Sequence, residues 1–165
     1  MRAIISQCGL YRYTLERDLP RLAGAGALLR PCTFIMLNPS TADAEMDDPT
    51  IRRCKSFAAG FECDQLVVVN LFAFRATKPV DLYRAADPVG PDNDRHIGNA
   101  MQHARIGSGP IICAWGANEA KGRDWRIKRM AESHSLQLYC LDKTKGGAPK
   151  HPLYIAGNAT LKEWA

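Results

Sequence analysis

Apolar residues along this 165-residue chain gather in short runs separated by Pro-, Gly- and Asp-containing segments. Thr33 to Leu37, Gln65 to Leu71 (QLVVVNL), Pro110 to Trp115 (PIICAW) and Leu136 to Leu141 (LQLYCL) are continuous enough to be strands buried on both faces, as in a parallel sheet. Tyr11 to Leu15 (YRYTL) alternates instead and is a candidate N-terminal edge strand. Asp18 to Pro31, with Gly24 and Gly26, reads as a loop or short irregular helix. Asp48-Pro49-Thr50 opens a helix, with Asp48 as N-cap, Pro49 at the first helical position and Gly60 past the end. Ile51, Cys54, Phe57 and Ala58 share its inner face.

Arg75 to Asp92 is polar and Pro-rich, and a helix is expected from Asp92 or Asp94 to Arg105. Another spans Ala117 to Ser133, with Trp125 and Met130 turned to the core and Arg123, Arg126, Lys128 and Arg129 on a solvated face. A short terminal helix is expected near Ala159 to Trp164. Strands alternating with helices predict one α/β domain over residues 1–165. Its expected architecture is three-layer α/β/α around a central, mostly parallel four-stranded sheet.

Composition narrows the class. With 46% hydrophobic and 24% charged residues the chain has the balance of a soluble globular protein. No apolar run is long enough to cross a membrane and the N-terminus lacks a secretory core, so the expected setting is cytoplasmic, with no membrane partner. The six cysteines form no C-x-x-C pair, which argues for reduced thiols and against a metal site. A net charge of +5 suits a polyanionic partner without requiring one.

Candidate chemistry lies at the ends of the apolar runs. In Cys32 to Ser40 (CTFIMLNPS) the strand stops at Asn38-Pro39, and the second strand ends at Asn70. After the fourth strand comes a Lys/Gly loop, KTKGGAPK, followed by His151. Ligands bind outside the carboxyl ends of strands in open α/β sheets, so these three side chains are expected to converge on one crevice. Lys143, Lys145 and Lys150 surround His151 and either grip phosphates or form a solvated loop. Ser40 and Asp43 are additional site candidates. Asp47 is either a solvated charge or a further carboxylate for the site, and Asp48 is explained as a helix cap.

These segments carry a resemblance. Leu37-Asn38-Pro39-Ser40 resembles the first motif of the uracil-DNA glycosylase superfamily, G-I-N-P-G in one branch and G-Q-D-P-Y in another. Val67 to Leu71, running on to Phe74-Arg75-Ala76, resembles its L-L-L-N strand. Ala114-Trp115-Gly116-Ala117, with Lys121, is similar to its L-W-G-x-x-A segment, and Lys150-His151-Pro152 to the H-P opening its last motif. Met36 stands where the superfamily has Gly, and no Ser-Pro-Leu-Ser follows His151-Pro152. The whole pattern, LNPSTAD, DDPTIRRC, NLFAFRAT, WG and HPLY, also resembles the bacterial and phage family called domain of unknown function 1643.

The glycosylase resemblance implies an enzyme that hydrolyses the N-glycosidic bond of a uracil-type or modified base flipped out of DNA, with no cofactor. Under it, Asn38 positions water or supports the sugar cation, and His151 stabilises the departing base oxygen. Asn70 reads the base edge, Phe57 or Phe72 stacks on the base, and Leu153 or Tyr154 takes the intercalating position. Two rivals stay open: an enzyme of the same fold acting on a free or modified nucleotide, and a non-catalytic module binding nucleic acid or protein.

Overall fold

A computed structural model describes residues 2–20, 28–40 and 46–164. The apolar runs become β3 (Pro31–Met36), β4 (Gln65–Asn70), β5 (Ile111–Cys113) and β6 (Leu138–Cys140), paired in parallel in the order β4-β3-β5-β6. The sheet is larger than the sequence predicts. Among the described residues it has seven strands, because β2 (Arg12–Asp18) pairs antiparallel with β4, β1 (Arg2–Ile5) with β2, and β7 (Lys162–Glu163) with β6. The alternating N-terminal segment is therefore an inner strand, and β1 forms the edge. The glycines at 24 and 26 lie outside the described residues.

Strand alternation sorts the apolar side chains into two cores. Cys32, Phe34, Met36, Leu66 and Val68 pack with Ile51, Cys54, Phe57 and Ala58 of α1 (Pro49–Gly60). Ile35, Val67, Val69 and Cys113 pack with α3 (Asn93–Ile106) and α4 (Arg123–Ser133). Helices thus cover both faces of a mixed α/β sheet. Asp48 caps α1 as its spacing predicts: its side chain accepts from Ile51 N at 2.8 Å. Gly60 is the last residue inside that helix rather than beyond it.

Three expectations are corrected. A short helix, α2 (Pro79–Arg84), interrupts the polar connector after β4. The expected C-terminal helix is replaced by β7, with Trp164 N bonded to Leu138 O and the Trp164 ring edge-on to Trp115 in the core. The buried residues of α4 are Ile127 and Ala131, whereas Trp125 is 63% exposed beneath Arg129. Arg123 is not on a solvated face. Its Nε donates to Leu71 O at 2.9 Å and its guanidinium pairs with Asp94.

Candidate functional site

β3 and β4 run in register from Pro31↔Gln65 to Met36↔Asn70, so both stop at one level. Their ladder continues into the loops: Leu71 N donates to Met36 O at 2.8 Å and Phe72 N to Leu37 O at 3.0 Å. Ala76 N then donates to Pro39 O at 3.1 Å. Two chain segments, 36–40 and 70–77, are thereby folded against each other beyond the carboxyl ends of the strands. Between β3 and β5 the crossovers go to opposite sides, the position where open α/β sheets leave a crevice.

A cavity of about 160 Å³ opens at the carboxyl ends of β3 and β4. Asn38, Asn70 and His151 all line it, so the three residues predicted to converge do so. It is about half the ~300 Å³ at which pockets for drug-sized ligands begin, and suits one small heterocycle. A wider cleft of about 730 Å³ adjoins it, with Thr77 and His151 in both walls and Lys150 and Tyr154 on the outer one.

Asn38 is fixed by its amide. Nδ2 donates to Ala76 O at 2.8 Å and to Pro39 O at 3.0 Å, which leaves Oδ1 as an acceptor. Two carbonyl partners define which end of the amide is nitrogen. Asn70 is 2% exposed. Its carbonyl, with that of Leu71, accepts from Nδ2 of the buried Asn93 at 3.0 Å. Arg123 adds a second donor to Leu71 O. The end of β4 is therefore held from the first turns of α3 and α4.

His151 arrives on a different support. Gly116 N donates to Pro149 O at 2.8 Å and Lys150 N to Asp142 O at 2.9 Å, fastening the post-β6 segment to the end of β5. Gly116 has φ +79°, and a Cβ there would lie 3.4 Å from that of His151. The His151 Nδ1 accepts from Leu153 N in a long 3.4 Å contact, which assigns the proton of the neutral ring to Nε2. Burial pushes its pKa below the ordinary imidazole value, with Asp48 pulling the other way.

Four polar residues missed by the strand-end argument also line the cavity. Arg12, 5% exposed, reaches it from β2, and Thr77 from the connector after β4. Burial, helped by the nearby Arg75, lowers the Arg12 pKa to about 10. Asp48 and Thr50 contribute from the start of α1, and the Ser40 hydroxyl donates to Asp48 Oδ2 at 3.2 Å. The sequence signal for Asp48 and Thr50 is the polar cluster DDPT, in which the helix cap accounts for Asp48 on its own. Met36 forms part of the wall without filling the space.

The remaining candidates fall elsewhere. Phe57 and Phe72 are buried, one in each core, and neither lines the cavity. Asp47 is held by Arg17 at 2.7 Å and Lys55 at 2.9 Å, so it is a structural ion pair. Asp43 lies outside the described residues. Lys143 and Lys145 are exposed on a small hairpin closed by the Lys143↔Pro149 bridge, while Lys150 pairs with Asp142 at 2.6 Å. Leu153 and Tyr154 are 45% and 81% exposed beside His151. Among the described residues no cluster of three His, Cys, Asp or Glu side chains is arranged to hold a metal ion, and no helix is long and apolar enough to cross a membrane.

A family model described as a protein of unknown function (DUF1643) matches residues 12–153, which include Arg12, Asn38, Asp48, Asn70 and His151. No curated protein and no solved structure matches the chain.

Proposed function

The chain belongs to the DUF1643 family, and for this member we propose an N-glycosidic hydrolase of the uracil-DNA glycosylase type, acting on a nucleobase flipped from DNA. The observation that carries the reading is the convergence of Asn38, Asn70 and His151 on one small polar cavity at the carboxyl ends of the strands. Helices on both faces of the sheet and the order β4-β3-β5-β6 of its parallel strands suit the α/β/α layering that the resemblance implies.

Each group has a chemical task available to it. The base leaves with the bonding pair, so a donor aimed at its oxygen lowers the barrier. With Nδ1 facing Leu153 N, His151 offers Nε2–H as that donor while still neutral. Asn70, rigidly held at the end of β4, has an amide suited to reading the edge of the base. Asn38, through Oδ1, orients water against the sugar. The buried Arg12 guanidinium favours a ligand on which negative charge develops. The adjoining cleft, with Tyr154 and Lys150 on its wall, has room for the sugar and flanking phosphates.

The test is incubation with oligonucleotides bearing uracil, 5-substituted uracils and related lesions, followed by alkali. Strand cleavage at the lesion is expected, reduced ~10²–10³-fold by His151→Ala, the scale for losing one donor to a developing oxyanion. Asn70→Asp should change which base is accepted, because it exchanges an amide donor for an acceptor. Wild-type protein that neither cleaves any member of the panel nor binds any of the free bases would overturn the assignment.

A further inference from the structure

The cavity contains one carboxylate among the described residues that line it, and it belongs to Asp48. Asn38, the residue the motif resemblance puts beside the water, is a poor proton acceptor: its nitrogen serves two carbonyls and its oxygen is a neutral amide oxygen. An amide orients water but does not deprotonate it. Asp48 differs in each respect. Oδ1 accepts from Ile51 N at 2.8 Å and Oδ2 from Ser40 Oγ at 3.2 Å, so both oxygens have fixed positions. Each retains acceptor capacity. It sits at the N-terminus of α1 and within electrostatic reach of Arg12.

Resting on the glycosidase reading above, we propose that Asp48 is the general base of this site, the group that takes the proton from the attacking water. As the bond from the sugar C1′ to the base nitrogen breaks, its electron pair leaves on the base, whose oxygen accepts from His151 Nε2–H. The water oxygen forms the new bond to C1′. Its proton passes to Asp48 and then through solvent to the departed base. The products are a free base and an abasic hemiacetal, so atoms and charge balance. Asn38 Oδ1 and Asp48 share the water, one orienting it and the other deprotonating it. The helix cap is the device that holds the base in place.

Asp48→Asn is the informative variant, because Asn caps a helix as well as Asp and the Ser40 hydroxyl can turn to accept from its amide. Single-turnover cleavage should fall ~10²–10³-fold while the melting temperature and free-base binding are kept. Asp48→Ala should be equally slow, and added formate, unlike chloride at the same ionic strength, should restore its rate about tenfold.

A readout free of turnover uses two abasic oligonucleotides, one with a cationic pyrrolidine in place of the sugar and one with uncharged tetrahydrofuran. Wild-type protein should favour the cation about tenfold, and Asp48→Asn should bind both alike. If wild type binds both analogues equally, or Asp48→Asn cleaves at the wild-type rate, Asp48 is a cap and nothing more. If neither analogue binds and no oligonucleotide is cleaved, the DNA reading itself falls and this proposal goes with it.

Discussion

At the scale of single residues, Asn38 shows how a side chain can be legible in position and hidden in role. A polar residue closing an apolar run is visible in the sequence, and so is its place at a strand end. Its two carbonyl partners come from Pro39 and from Ala76, 38 residues away, and no local pattern announces the second. Those partners mean that the residue is also structural. Asn38→Ala takes one donor from each carbonyl, Pro39 O keeping Ala76 N, and should cost about 1–2 kcal/mol in a urea titration. Asn38→Asp should cost more at pH 7, because a carboxylate oxygen then faces both carbonyls. The introduced acid is held above its unfolded value near ~3.9, so the folded state binds the extra proton and the variant gains stability as pH falls. Equal stability of the Ala and Asp variants at both pH 7 and pH 5 would refute this account. Arg12 and Thr77 escape the same reasoning because they come from an antiparallel strand and a connector, where no apolar run ends in a polar residue.

At the scale of elements, the parallel strands and α1 are readable because continuous apolar runs and an Asp-Pro cap each have one local cause. The two residues of β7 pair through long-range hydrogen bonds to β6 that a short segment cannot advertise. In α4 the sequence reading turns both Trp125 and Met130 to the core, but they lie five positions apart, about 140° around a helix at 3.6 residues per turn, and of the two it is Met130 that packs against the core. Ile127 and Ala131, four apart, share the inner face, and Trp125 is left outside with Arg129 over it. The same rotation brings Arg123 inward to Leu71 O and Asp94. Because that guanidinium is only 12% exposed, Arg123→Ala should destabilise by about 1–3 kcal/mol, with Arg123→Lys in between. Denaturant midpoints measure it, and an unchanged midpoint would mean that Asn93 alone secures the end of β4.

At the scale of the whole molecule, convergence of the site follows from strand order. With β3 between β4 and β5, the ends of three strands meet around Asn38, which is why a topology guess sufficed to group Asn38, Asn70 and His151. Charge is less simple to read from sequence. Lys143, Lys145 and Lys150 look equivalent in a Lys/Gly loop, but Asp142 takes Lys150 at 2.6 Å and Lys162 at 2.7 Å. The pair of lysines holds the Asp142 carboxyl well below its ordinary pKa, so it stays charged across the neutral range. Lys150 is thus tied to a carboxylate that it shares with Lys162, whereas Lys143 and Lys145 project from the hairpin that delivers His151. On the DNA reading, each lysine that meets a phosphate contributes about 0.9 to the slope of log K against log salt. Changing Lys143 and Lys145 together to Ala should flatten that slope by ~1.8, and Lys150→Ala should change it by less than ~0.5. Fluorescence anisotropy with a labelled lesion oligonucleotide at several salt concentrations distinguishes the two. A double variant with the wild-type slope would place DNA away from this hairpin, and an equal effect of Lys150→Ala would mean that Asp142 releases it on binding.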